Sequence, residues 1–287
     1  MSSFTRSVRG NRAAQAALVV LTFIAFLVAF GGLIAPYDPL QQSTAVLQGP
    51  SGAHWLGTDH LGRDTLSRLL EGSRISVLGA LEATAVGVVL GALPGLLSVY
   101  VGRTAEWILL RVMDAVLSLP FIIVAIAVSG LAGGGMQPAM ITVGVLFTPT
   151  FFRIARSATL GLRRAGYVEA AELFGSSTTR MVLTHIWGKV TTPIAVAAAS
   201  TTGAGLLIVS SLQFLGIGVT PPAPTWGGML ATDLTYLHHA PFAPLWPAAL
   251  IMLTVGALNI LADAIREDSP TTRSSRKKKE RARVDAN

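Results

Sequence analysis

Runs of apolar residues long enough to cross a bilayer recur along this chain, at Ala13 to Ala35, Ile75 to Val101, Ile108 to Leu131, Ala139 to Ile154, Pro193 to Gly218 and Phe242 to Ala264. A hydrocarbon core is spanned by about 20 such residues in helical form. Inside it, backbone groups must be satisfied within the protein, which leaves helices or closed barrels. The expected fold is therefore an all-α integral membrane protein with six transmembrane helices over residues 13–264. Thr148, Pro149 and Thr150 interrupt the fourth run, although neighbouring helices can satisfy groups that a proline frees. The first run follows Arg6, Arg9 and Arg12 as a secretory signal would, but its length and the Pro36 to Pro39 turn after it favour a retained anchor.

Charge placement sets an expected orientation. Only 13% of residues are charged against 51% hydrophobic, so each cluster of lysine and arginine carries topological information. Arg6, Arg9 and Arg12 place the N-terminal tail, residues 1–12, in the cytoplasm. Alternation then puts Gly102 to Trp107, a long loop over 153–192 and the basic tail 265–287 on the same side. Six basic residues between Arg153 and Lys189 agree with that. On the opposite side, Ala132 to Pro138 is uncharged and Val219 to Pro241 has no lysine or arginine. The outer loop 36–74 dissents with Arg63, Arg68 and Arg74, accompanied by Asp38, Asp59, Asp64 and Glu71. The net charge of +7 is concentrated in tails and loops, which fits a membrane better than nucleic acid. With no cysteine in the chain, disulfide frameworks and thiolate chemistry are excluded.

The loop 153–192 is too long and too helix-forming to be a mere chain reversal. Its residues suggest a short helix carrying Tyr167, Glu169, Ala170 and Ala171, a break at Gly175, and a second helix capped near Thr178 or Thr179. Small alanines let a helix lie close on a partner, Glu169 offers an anchoring charge, and Gly175 permits a turn. An amphipathic helix resting on lipid is the alternative reading.

Other residues have structural and functional readings side by side. Gly87, Gly91 and Gly95 recur every fourth residue, a smooth stripe for helix packing rather than a hinge. Pro94 beside it is a candidate kink. Glu82 lies within a span, either on a pathway or reaching interfacial water. Asp114 stands one turn from Arg111 and reads as its ion partner. His238 and His239 are adjacent, so on a helix they diverge, and no third ligand accompanies them. Gly57, Asp59, Gly62, Arg63 and Asp64 read as turn residues with a local ion pair. Phosphate-loop, zinc-protease and nucleophile-elbow motifs are absent from the sequence.

Taken together, Tyr167, Glu169, Ala170, Ala171, Gly175, His185 and Ile186 resemble the coupling loop of bacterial ABC importer permeases. The family's usual Leu-Pro-Asn is replaced here by Trp187, Gly188 and Lys189, which implies a different bend at the loop end. His54 to Asp64, with Pro36 to Pro39, Ser67 and Arg68, is similar to the first outer loop of the C-type subunit in the dipeptide and oligopeptide branch. Arg111, Asp114 and Pro120, then Phe214 to Gly218, Pro221, Pro222, Trp226 and Gly227, and finally Asn259, Asp263 and Arg266 extend the likeness to about Pro36 to Arg266.

The resemblance implies a type I importer fold with both termini cytoplasmic in a bacterial inner membrane, and no catalytic residue or metal site on this chain. It implies a second permease, two cytosolic ATPase subunits that hold ATP and magnesium, an extracytoplasmic solute-binding protein, and a peptide substrate. Relatives in the branch carry nickel or other small solutes, so the solute stays open. A secondary transporter run by an ion gradient is the rival, expected to show broken helices and several midplane ionisable groups. A scaffold whose loop recruits a partner is a third reading.

Overall fold

A computed structural model of the chain describes residues 11–133, 135–166, 177–219 and 221–267. Among them the regular structure is helical, apart from one isolated antiparallel bridge between Thr58 and Asp64. The first helix, α1 (Arg12–Ile34), starts where Asn11 Oδ1 accepts the Ala13 and Ala14 N–H groups at 2.9 and 3.4 Å, satisfying donors that a helix start leaves free. The others are α2 (Thr65–Leu97), α3 (Arg103–Leu117), α4 (Phe121–Leu131), α5 (Met136–Arg163), the short α6 (Thr178–Met181), α7 (Trp187–Phe214), α8 (Trp226–Thr235) and α9 (Leu245–Glu267). A π-helical turn, Val182–Ile186, joins α6 to α7.

Five helices, α1, α2, α5, α7 and α9, are long and apolar enough to cross a membrane, and α3 with α4 makes a sixth crossing if the bent pair counts as one. The third expected span is therefore broken, turning by 90° between Leu117 and Phe121. Its cause is Pro120, which has no N–H to donate and biases the preceding residue away from helical geometry.

Three other spans differ from expectation at their ends. The second begins at Thr65 rather than Ile75, so the expected outer loop 36–74 ends at Asp64. Its extra turns are polar in sequence yet buried: Ser67 bonds Asp64, Arg68 donates to the Pro39 and Pro222 carbonyls, and Ser73 donates back to carbonyls of its own helix. The fourth runs unbroken through Pro149 to Arg163. Just before that proline the Thr148 hydroxyl donates to the Gly144 carbonyl at 3.4 Å, and buried Ala155 and Thr159 carry the packed face onward. The fifth span starts at Trp187 rather than Pro193; the segment that departs from the family's Leu-Pro-Asn is its first turn. Helix thus occupies both ends of the expected loop 153–192. The cap before Thr178 is Ser177, whose Oγ accepts the Arg180 N–H at 3.4 Å, one residue earlier than expected.

The glycine stripe packs as expected. A Cβ at Gly87 would lie 2.8 Å from Phe147 Cβ, while at Gly91 and Gly95 it would collide with the carbonyls of Thr148 and Phe152 on α5. Gly79, midway along α2, meets Met136 and Met140 at the start of α5, and Gly91 and Gly95 meet Thr148 and Phe152 further along, so α2 and α5 run parallel, with backbones in contact at those last two glycines. Phe151, with no exposed surface, fills the core beside them together with Met181, Ile186 and Val190, and Phe152 is equally buried. The chain leaves α1 and enters α2 at one end of this bundle, called the cap end below. It leaves α5 at the other.

Candidate functional site

At the cap end, residues 36–64 fold over the first turns of α2, and aspartates set their shape. Asp59 Oδ1 accepts the N–H groups of Leu61 and Arg63 at 2.8 and 3.0 Å, closing a tight turn. Its Oδ2 lies 2.7 Å from Arg63 Nε and 3.4 Å from Arg68 Nε. One carboxylate therefore serves two guanidinium groups, whose side chains are only 7% and 9% exposed. Asp64 caps α2: its Oδ2 accepts from the Ser67 N–H at 2.8 Å and the Ser67 hydroxyl at 2.7 Å, while Oδ1 lies 2.9 Å from His54 Nδ1. Gly57 and Gly62 have φ of +79° and +71°, and a Cβ at either would strike the carbonyl of Gln48 or Ser43. Both positions need glycine for conformation and for space.

Motifs far apart in sequence converge here. The Tyr37 N–H donates to Ser67 Oγ at 3.1 Å, and its ring lies 4.8 Å from that of His54. Arg68 donates to the carbonyls of Pro39 and Pro222. Trp226, wholly buried, donates its ring N–H to Leu69 O at 3.2 Å and its backbone N–H to Ser76 Oγ at 3.0 Å. A side chain at Gly227 would strike the Ser210 carbonyl of α7. Gly57, Asp59, Gly62, Arg63 and Asp64 thus belong to one packed structure with Pro36 to Pro39, Pro221, Pro222, Trp226 and Gly227.

Beside it lies a cavity of about 350 Å³, whose wall includes His60, Arg63, Arg68, Gln213, Thr225 and Thr232. Gln213 and Asp233, neither singled out from sequence, are its unusual neighbours. Gln213 is 4% exposed with neither amide atom hydrogen-bonded, and Asp233 Oδ2 is likewise buried without a partner. Burial raises the Asp233 carboxyl to about 7, and the Asp59 charge adds to that. Burial also depresses the His60 imidazole, opposed by Asp59 and reinforced by Arg63 and Arg68; its ring stacks on Tyr236 at 5.0 Å. The available signal for Gln213 was one amide late in an apolar span.

At the opposite end, ion pairs tie α3 to α5. Arg153 lies 2.7 Å from Asp114, closer than the expected partner Arg111 at 3.7 Å. Arg111 also sits over the Trp107 ring at 5.5 Å. Arg156 binds Glu106, donating from Nε at 2.9 Å, and Arg163 donates to Val99 O at 3.0 Å while covering the Tyr100 ring. Arg153, Arg156 and Arg163 lie in α5 and Lys189 in α7, helical where a loop was expected, while Arg180 lies in the short second helix expected near Thr178. Tyr167, Glu169, Ala170, Ala171 and Gly175 lie outside the described residues. Glu82 is half-buried with no ion pair among the described residues, and His238 and His239 are exposed.

Long apolar helices around a glycine-packed pair, joined through a polar cap, define a multi-pass membrane protein. The chain belongs to the family described as the binding-protein-dependent transport system inner membrane component, whose profile matches residues 83–267. Residues 1–50 match the N-terminal TM domain of oligopeptide transport permease C. It is 36% identical to a glutathione transport system permease protein of Pectobacterium atrosepticum, over 91% of this chain and 87% of the relative. Identity to a di/tripeptide transport system permease protein of Pseudomonas aeruginosa is 32%, over 93% and 90%. For a probable D,D-dipeptide transport system permease protein of Escherichia coli it is 33%, over 90% and 87%. The protein is accordingly an inner-membrane permease component of a binding-protein-dependent transport system, and not an enzyme.

Proposed function

We propose that this chain is a permease subunit of an ATP-driven ABC importer for small peptides. The observation that carries the reading is the agreement among relatives: proteins matching about nine-tenths of the chain are named for glutathione, di/tripeptides and D,D-dipeptides. In this reading the cap end faces outward, both termini are cytoplasmic, and a second permease completes the pathway. A solute-binding protein delivers peptide to the cap. Two ATPase subunits, holding ATP and magnesium, dock on the opposite end at Tyr167, Glu169, Ala170, Ala171 and Gly175.

The mechanism follows from differential contact. ATP shifts the permease between inward- and outward-facing states only if the ATPases touch the docking segment differently in each. That segment follows α5, which is joined to α3 by Arg153 and Arg156 and lies against α2 along the glycine stripe. Force received there has a direct path into helices that reach the cap. The test is uptake by the whole transporter in proteoliposomes. Glu169→Lys and Gly175→Pro are expected to abolish ATP-dependent peptide uptake while each variant still inserts. Undiminished uptake by both variants refutes the coupling role, and absence of peptide uptake by the natural chain refutes the substrate.

A further inference from the structure

We infer that a groove between α1 and α2 at the cap end holds the headgroup of a membrane phospholipid that carries a phosphate and a primary ammonium, the phosphate on Arg74 and the ammonium on Glu71. A cavity of about 250 Å³ lies there, walled by Val28, Ala29, Gly32 and Leu33 of α1 and by Glu71 and Arg74 of α2. Each helix fixes its depth separately. Gly32 and Leu33 stand at the end of the apolar run of α1, and Arg74 immediately precedes Ile75, where the long apolar run of α2 begins. Both put the cavity at the edge of the hydrocarbon layer, where headgroups lie.

Gly32 supplies a second observation. A side chain there would strike Glu71 Oε2, so its absence is what lets the carboxylate lie against the α1 backbone. At the preceding position a Cβ on Gly31 would meet the Leu70 carbonyl, which brings the two main chains together beside the groove. Glu71 is half-buried and Arg74 exposed, and neither has a hydrogen bond or ion pair among the described residues. Opposite charges three residues apart on a helix are placed to meet, yet these two stay apart. A lone anion at Arg74 would be repelled by Glu71, and a lone cation at Glu71 by Arg74. A headgroup bearing both charges matches both: the guanidinium donates to phosphate oxygens, and ammonium N–H groups donate to the carboxylate. A quaternary ammonium has no N–H to give, so the primary amine is preferred. The volume is below that of a drug-sized pocket, which suits a headgroup with its acyl chains outside. Deeper in the layer those chains meet exposed Phe26 on α1 and exposed Leu78 and Leu81 on α2.

The test uses the full chain in detergent, with phosphatidylethanolamine, phosphatidylcholine and phosphatidylglycerol as probes and bound lipid counted on the intact protein by native mass spectrometry. The natural chain is expected to hold phosphatidylethanolamine about fivefold more tightly than either of the others, because only that headgroup brings N–H donors and a phosphate together. Glu71→Ala should erase the preference over phosphatidylcholine, and Arg74→Ala should weaken all three lipids, since each carries a phosphate. Gly32→Ala should reduce the preference while leaving both charges in place, because the added methyl displaces the carboxylate. None of the three should lower the thermal midpoint by much, as neither charged side chain bonds the protein. Equal retention of the three lipids overturns the site, as does a preference that survives Glu71→Ala. Tighter binding of phosphatidylglycerol also overturns it, for then Arg74 is a plain anion site. So does loss of the preference when the chain is purified together with its partner subunits, for then a neighbouring chain covers the groove.

Discussion

Both ends of the bundle are held by arginine–carboxylate contacts, but the two sets differ in kind. At the cap end, Asp59 and its two arginines are almost fully buried, and their turn is locked by glycines with positive φ. At the other end, Asp114, Arg111 and Arg153 are each about half exposed or more. Buried pairs are expensive to break because the orphaned partner stays out of water. Pairs left open at the surface orphan less when broken. The cap end is therefore held by the more deeply buried set, and the Asp114 pairs by the more open one.

That contrast is most severely tested by Asp59→Ala. It leaves Arg63 and Arg68 buried without an anion, and should destabilise the folded chain by about 3–5 kcal/mol, read as a large drop in thermal midpoint in detergent. A loss under about 1 kcal/mol would mean that water reaches the site and the cap is not preorganised. Next is Gly62→Val, which forces a branched residue to positive φ against the Ser43 carbonyl and should cost about 2–3 kcal/mol by the same measurement.

A pH series sharpens the comparison. Burial raises Asp233 from 3.8 to about 7, so over that interval the folded chain keeps a proton that the unfolded chain releases. Stability should therefore fall as pH rises from about 4 to about 7, and level off above that. Asp233→Asn should flatten this part of the profile and raise the midpoint at pH 8. The same slope in both proteins would assign the pH effect to other groups. The smallest effect belongs to Asp114→Asn at the opposite end, within about 1 kcal/mol. A larger loss would show that the exposed pairs are structural after all.

Periodicity and length made the helical membrane fold readable from sequence, because bilayer thickness leaves few solutions for repeated apolar runs. The glycine stripe was equally legible: spacing by four fixes one helix face whatever packs on it. Ends and breaks were less so. Pro149 looked like an interruption and is absorbed within a helix, whereas Pro120 was matched to a family pattern and breaks one. Residue type is the same, and the difference is tertiary. The first turns of α2 read as loop because they are polar, and only the partners of Ser67 and Arg68 explain why they are buried. Asp114 pairs with its neighbour in sequence, Arg111, as expected, and more closely with Arg153, thirty-nine residues away, which spacing alone does not suggest. Gln213 and Asp233 matter through what their surroundings fail to offer them, which composition does not encode.

The direct backbone contact between α2 and α5 has a mechanical corollary. Where Gly91 and Gly95 bring two main chains together with no side chains between them, there is no compliant layer to shear, and neither helix can slip or roll without colliding with its neighbour's carbonyls. The pair behaves as a single stiff spar running the length of the molecule. Any rearrangement must pivot around it, and the ready-made joint for such a pivot is the elbow at Pro120.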